Sequence, residues 1–227
     1  MKLKYQESKR YYQDHYINHL KFASEKRTAF DAKFSLALMQ EIKQGQFYLN
    51  KIHNIDLCIT RLQNLVIHPE QVFSFWYLVP QPTRKNGFKS GRNLVNGQIS
   101  EDIGGGICQV SCGIYINALK SGLEILERHP HSVDIYEEDE RFTPLGSDAT
   151  VVYGYKDLRF KNTLKSPIQI CLERHDNKLS TMFKTLSALT DQKLEFVTEY
   201  LEDHKLVSTL LDQNVVTTSI YRYKTAL

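Results

Sequence analysis

Cysteine is scarce in this chain: four in 227 residues, at positions 58, 108, 112 and 171, with no regular spacing. Such a set does not make a disulfide framework, so each thiol is a buried filler, a metal ligand or a nucleophile. Tryptophan occurs once, at Trp76. Long apolar runs are missing too. The longest, VFSFWYLVP at 72–80, falls far short of the roughly 20 residues that cross a bilayer, and no transmembrane segment is expected. The opening MKLKYQESKRYY has no apolar signal-peptide core, and the sequence as it stands reads as soluble and cytoplasmic. Charge of one sign is not in excess either. The 29 basic and 26 acidic residues leave a net +3, whereas a nucleic-acid partner calls for a marked basic face, so none is expected. No internal repeat, low-complexity tract or linker breaks the chain.

What is present is an ordinary globular composition, 41% hydrophobic and 24% charged, long enough to bury a sizeable core. Tyr16, Leu20, Ala23, Phe30, Phe34, Leu38 and Ile42 recur at steps that predict helix over 5–45, with Gly45 as its stop. A second stripe, Ile55, Cys58, Ile59, Leu62, Leu65 and Val66, predicts a helix capped by Asn54 and ended by Pro69, with Cys58 in the core. QVFSFWYLV reads as a strand that makes Trp76 a core or cleft wall, and Asn96-Gly97 as a hairpin turn. Residues 108–122 read as a helix with Val110, Ile114, Ala118 and Leu119 on one side, closed by Gly122. Strands follow in EILERH, SVDIYE, DATVVYG, LRFKN, IQICLERH (with Cys171 as core), LSTMFKT and NVVTTSIYRYK. The expected fold class is α+β: N-terminal helices, then a central Cys-bearing helix packed on a mostly antiparallel β-sheet. Residues 1–50 form the helical region and 51–227 the α+β domain, with a β-rich extension from about 173.

The chemistry concentrates in IGGGICQVSCGIY at 103–115. Cys108 falls at a helix start, where free amides and the helix dipole favour a thiolate. A thiol nucleophile needs a base. ERHPHS supplies His129 and His131, and Asp148 in GSDATVVYG is the candidate to orient the imidazole. Gln109 and nearby backbone amides are candidate oxyanion donors. Gly104, Gly105, Gly106, Ser111, Trp76 and His129 are candidates for substrate contact. Plainer duties compete: a tight glycine loop with Cys108 as a buried cap, His129 in a solvent-facing turn, and Asp148 accepting amides of the Gly146 turn. Cys108 and Cys112 with His129 and His131 could also make a tetrahedron for zinc. That spacing matches no strong structural zinc pattern, and no metal or cofactor is expected.

At these residues the chain resembles the VanW family. The resemblance rests on FSFW with LV just after it, NG ahead of IGGGICQVS, LEILERHPHS, LGSDATVVYGYKDLRFKN and SPIQI, over about residues 50–172. It implies an association with glycopeptide (vancomycin) resistance and the cell envelope. The family signature includes the Gly-Gly-Gly-x-Cys-Gln core, a histidine at His131 and the Asp-Ala-Thr-Val segment from Asp148. Position 112 is commonly Thr, Ser or Asn in that family, so the resemblance singles out Cys108 as the thiol. Relatives often carry a membrane anchor and peptidoglycan-binding repeats. This sequence shows neither, and an envelope location is not carried over. The functional expectation is a Cys-His-Asp hydrolase or acyltransferase acting on a peptide-like, cell-wall-related ligand. The alternative is a non-catalytic accessory module that recognises a cell-wall precursor or a protein partner.

Overall fold

Alternation, not helical periodicity, governs residues 34–41 of FSLALMQE. The computed structural model, which describes residues 2–95, 98–134, 141, 143–189 and 192–223, has helix α1 at Lys2–Tyr12, continued by a π-helical turn at Gln13–Ile17. Two strands follow, β1 (Glu25–Lys26) and β2 (Phe34–Glu41). The helix expected over 5–45 is therefore confined to its first third. Phe34, Leu38 and Ile42 misled because a four-residue step is also a multiple of the strand period of two. Leu36 and Gln40 are the buried positions of β2, and their neighbours face out.

Helix α2 (Tyr48–Leu62) buries Ile55, Cys58 and Leu62, the three- and four-residue spacing of an amphipathic stripe. Asn54 lies within it, not at its cap, and Leu65 and Val66 belong to β3 (Leu65–Ile67). The expected QVFSFWYLV strand divides into β4 (Val72–Ser74) and the short helix α3 (Phe75–Leu78), because the Ser74 hydroxyl accepts the Tyr77 amide and caps the turn. Strands β5 (Ser90–Val95) and β6 (Gln98–Ile103) pair with Val95 opposite Gln98; Asn96-Gly97 lies outside the described residues.

Helix α4 (Ile107–Lys120) comes next, then β7 (Glu124–Glu127), β8 (Val133–Asp134) and β9 (Arg159–Lys161). Most of SVDIYE beyond β8 lies outside the described residues. DATVVYG is not a strand but a turn closed by a bridge between Val152 and Lys156. The remaining strands are β10 (Ile168–His175), β11 (Lys178–Thr185), β12 (Leu194–Tyr200), β13 (His204–Leu211) and β14 (Asn214–Tyr223).

The result is an α+β fold. A five-stranded antiparallel sheet in the order β1-β3-β10-β11-β2 forms the floor, and β4-β9-β7 forms a smaller sheet. Helix α4 packs on β11 and β2. It is buried along almost its whole length, with Val110, Ile114 and Ala118 fully inaccessible. Burying an aliphatic side chain of the size of Val110 or Ile114 contributes about 1.5–3 kcal/mol, so α4 is anchored by its packing and holds its first turn firmly. The β-rich extension begins later than expected. β10 and β11 belong to the floor, whereas β12-β13-β14 form a separate sheet that β8 joins in parallel to β14. Among the described residues no helix is long and apolar enough to cross a membrane.

Candidate functional site

The glycine run is shaped by the elements that close on it. Asn54, fully buried in α2, donates from Nδ2 to the Lys89 and Gly105 carbonyls, each at 2.9 Å, and accepts the Lys89 amide at 2.8 Å. Strand β5 then passes so close that a Cβ on Gly91 would lie 2.9 Å from Gly105 Cα. Gly106 caps α4 at φ +98°, a left-handed conformation that side chains resist. The chain therefore turns sharply and delivers Cys108 as the second residue of the helix. Gly104 and Gly105 are buried, so these two glycines serve the turn and are not a ligand-contacting surface. Of the four thiols, Cys108 alone is not buried.

The same helix grips the loop that carries Asp148. Ser111 Oγ donates to the Ala149 carbonyl at 2.6 Å, and the Ala149 amide donates to Cys112 Sγ at 3.2 Å. The Thr150 amide bonds the His129 carbonyl at 2.7 Å, drawing in the segment that carries His131. Between these ties, Asp148 Oδ2 accepts both the backbone amide and Nδ1 of His131, each at 2.6 Å. The Cys108 side chain also acts electrostatically on the imidazole. With Nδ1 committed to Asp148, Nε2 is the nitrogen left for the sulfur. The cluster has an open side, His131 keeping 21% of its side-chain exposure.

The electrostatics are those of a strongly coupled group. Burial disfavours a charged His131, but hydrogen bonds and charge from Asp148 and Cys108 outweigh it and push the imidazole up to about 10. Burial likewise works against a charged Asp148, yet the hydrogen bonds and charges of His131 and Arg128 lower it to about 2. Asp148 Oδ1 faces Arg128 Nη2 at 3.0 Å and accepts the Tyr221 hydroxyl.

The other candidates lie elsewhere. Gln109 donates to the Glu41 carbonyl at 2.9 Å and ties α4 to β2, so its side chain is a strut and not an oxyanion donor. Ser111 is fully buried in the Ala149 contact and is out of a substrate's reach. Trp76 donates from its indole to the Lys156 carbonyl at 2.8 Å, with Phe75 and Tyr153 packed edge-on against it. His129 turns away from His131 to Glu127, at 3.1 Å. There it joins a second charged cluster, in which Arg10 forks onto Glu127 at 2.7 and 3.0 Å and burial pushes Asp157 up to about 6. Burial keeps Cys112 a neutral thiol. Among the described residues no group of three or more Cys, His, Asp or Glu is arranged to hold a metal.

A family profile described as "VanW like protein" matches residues 50–183, more than half of the chain. The chain belongs to the VanW family. It is 36% identical over 145 residues to the "Uncharacterized protein YoaR" of Bacillus subtilis, covering 62% of this chain and 46% of that protein. It is 33% identical over 130 residues to the "Vancomycin B-type resistance protein VanW" of Enterococcus faecalis, covering 57% of this chain and 47% of that one. The chain thus spans less than half the length of these two relatives. No solved structure gives a significant match. The VanW region contains Cys108, His131 and Asp148, and also Arg128, which sequence reasoning passed over. Tyr221 lies beyond it, in β14, and no local motif pointed to it.

Proposed function

We propose that this VanW-family chain is a thiol acyltransferase or amidase in which Cys108, His131 and Asp148 act together. The observation that carries the reading is the 2.6 Å bond from His131 Nδ1 to Asp148, on an imidazole that is also influenced by the partly exposed Cys108 at a helix start. With its proton already held on His131 Nε2, the Cys108 sulfur attacks a substrate carbonyl carbon. The backbone amide of Cys108, in the first turn of α4, stabilises the developing oxyanion. Collapse of the tetrahedral intermediate breaks the bond to the leaving amine, which takes the proton from His131. Water, deprotonated by His131, or an acceptor amine then releases the acyl group from sulfur. Asp148 holds the ring and its charge throughout. The Enterococcus faecalis relative carries the name of vancomycin B-type resistance, and we assign this chain to glycopeptide-resistance or envelope chemistry on a peptide-like, cell-wall-related substrate.

An activated aminoacyl p-nitrophenyl ester tests the reaction class without knowledge of the substrate. A burst of nitrophenol equal to the enzyme concentration is expected, with the acyl group recovered on Cys108 by intact-mass and peptide analysis, and no burst from Cys108→Ser. Equal, burst-free hydrolysis by both proteins would favour the accessory binding module instead.

A further inference from the structure

We propose that Tyr221 is a positioning residue of the Cys108 site, and that the C-terminal sheet carrying it is an integral part of that site. The inference rests on the Cys-His-Asp reading above and extends it to residues beyond the VanW-matched region, which ends at 183. Strand β14 reaches the cluster at three points. Tyr221 donates its hydroxyl to Asp148 Oδ1, the oxygen opposite the one that holds His131. Ser219, two residues earlier on the same face, accepts Arg128 Nη1 at 2.5 Å. The Arg222 amide donates to the Ser132 carbonyl at 3.0 Å, and β14 runs parallel to β8 directly after His131. One strand therefore braces both the carboxylate and the backbone that follows the imidazole.

The chemistry of each contact suits that duty. Tyr221 is almost wholly buried, and burial and the Asp148 charge push its phenol upward, so it is a neutral donor. Arg128 spends its donors on the Asp148 and Gly146 carbonyls, Asp148 Oδ1 and Ser219. The Asp148 carboxylate is thus bonded on both oxygens and has one orientation. The loop before it is shaped to the sheet as well. Gly146, at φ +95°, sits where a Cβ would lie 2.6 Å from Val207 Cγ1 of β13. Beside this clamp the seam is open, with a cleft of about 360 Å³ bordered by Arg128, Leu119, Leu123, Leu211 and Val216. The polar clamp on Asp148 is therefore a specific contact within a seam that is not close-packed throughout.

Tyr221→Phe in the full chain keeps the ring and removes the donor. The readouts are the exchange-protected downfield Nδ1 proton resonance of His131 and the rate of Cys108 alkylation by iodoacetamide at about pH 6. The expected result is a native circular-dichroism spectrum, a broadened or lost resonance, and alkylation slowed roughly tenfold, the size expected for one hydrogen bond to a charged group. Ser219→Ala, which loosens Arg128 without touching Asp148, should shift both readouts in the same direction by less, and serves if Tyr221→Phe does not fold. Val197→Thr, on the exposed face of the sheet, should leave both unchanged. A folded Tyr221→Phe protein with an unaltered resonance and rate would overturn the proposal. If wild-type Cys108 proves an ordinary thiol, the enzyme reading fails by itself, and the resonance still decides whether Tyr221 holds Asp148.

Discussion

Asp148→Asn is expected to cost about 3–5 kcal/mol of stability, the loss that follows when one partner of a buried charged pair is removed. The Arg128 and Asp148 side chains are only 5% and 14% exposed. Asparagine keeps the shape but leaves the guanidinium charge uncompensated, and its NH2 group sets a donor against either the Arg128 and Tyr221 donors or the His131 donors. The effect carries a pH signature. His131 is raised from 6.5 to about 10 in the folded chain, so its stabilisation is complete below the unfolded value and is lost as pH rises through about 10. Asp148 is lowered from 3.8 to about 2, so its contribution is present above the unfolded value and is lost as pH falls toward 2. Wild type should therefore exceed the variant most between about pH 4 and 6.5. The gap should narrow toward about pH 10 without closing, because Arg128 stays unpaired. Urea denaturation of both proteins across this range measures it. A constant small gap would show that Asp148 is not coupled to His131.

The second large effect is the pH profile of Cys108 alkylation. An ordinary thiol, ionising near 8.5, loses roughly two orders of magnitude of thiolate between about pH 8.5 and 6, and its alkylation rate falls with it. The Cys108 rate is expected to fall less steeply over that interval, because the His131 imidazole, held by Asp148, is the base partner of the site. His131→Ala should restore the steep profile. Cys58 and Cys112 should stay silent, since both are buried and burial pushes both thiols upward. Labelled-peptide mass spectrometry assigns the modified residue, and a steep wild-type profile would leave the thiol without an activating partner.

The cluster was legible where the chemistry is carried by side-chain type and local order. A cysteine after three glycines, then a histidine and an aspartate in polar stretches, could be picked out before any contact was known. The supporting residues were not. Arg128 and Tyr221 act through Asp148 across separations of 20 and 73 residues, and nothing local distinguishes them from an ordinary strand arginine and a core tyrosine. Gln109 misled in the opposite way. A polar neighbour of a thiol looks like an oxyanion donor, but one residue along a helix turns the side chain by about 100°, and that turn carries Gln109 to β2. Ser111 and Cys112 read as site or metal residues, yet their work is to clasp the Ala149 backbone. The α+β class survived the misreading of β2 because the downstream strands carried clear alternation, whereas the four-residue step in 30–42 fitted two periods equally well.

The central claim is that His131 is held as an imidazolium between Asp148 and Cys108, and a titration of its ring by ¹H–¹⁵N NMR reads that state directly. The expected result is a ring protonated on both nitrogens at neutral pH that loses its proton near 10. A ring that titrates near 6.5, the value of an unperturbed histidine, would contradict the account.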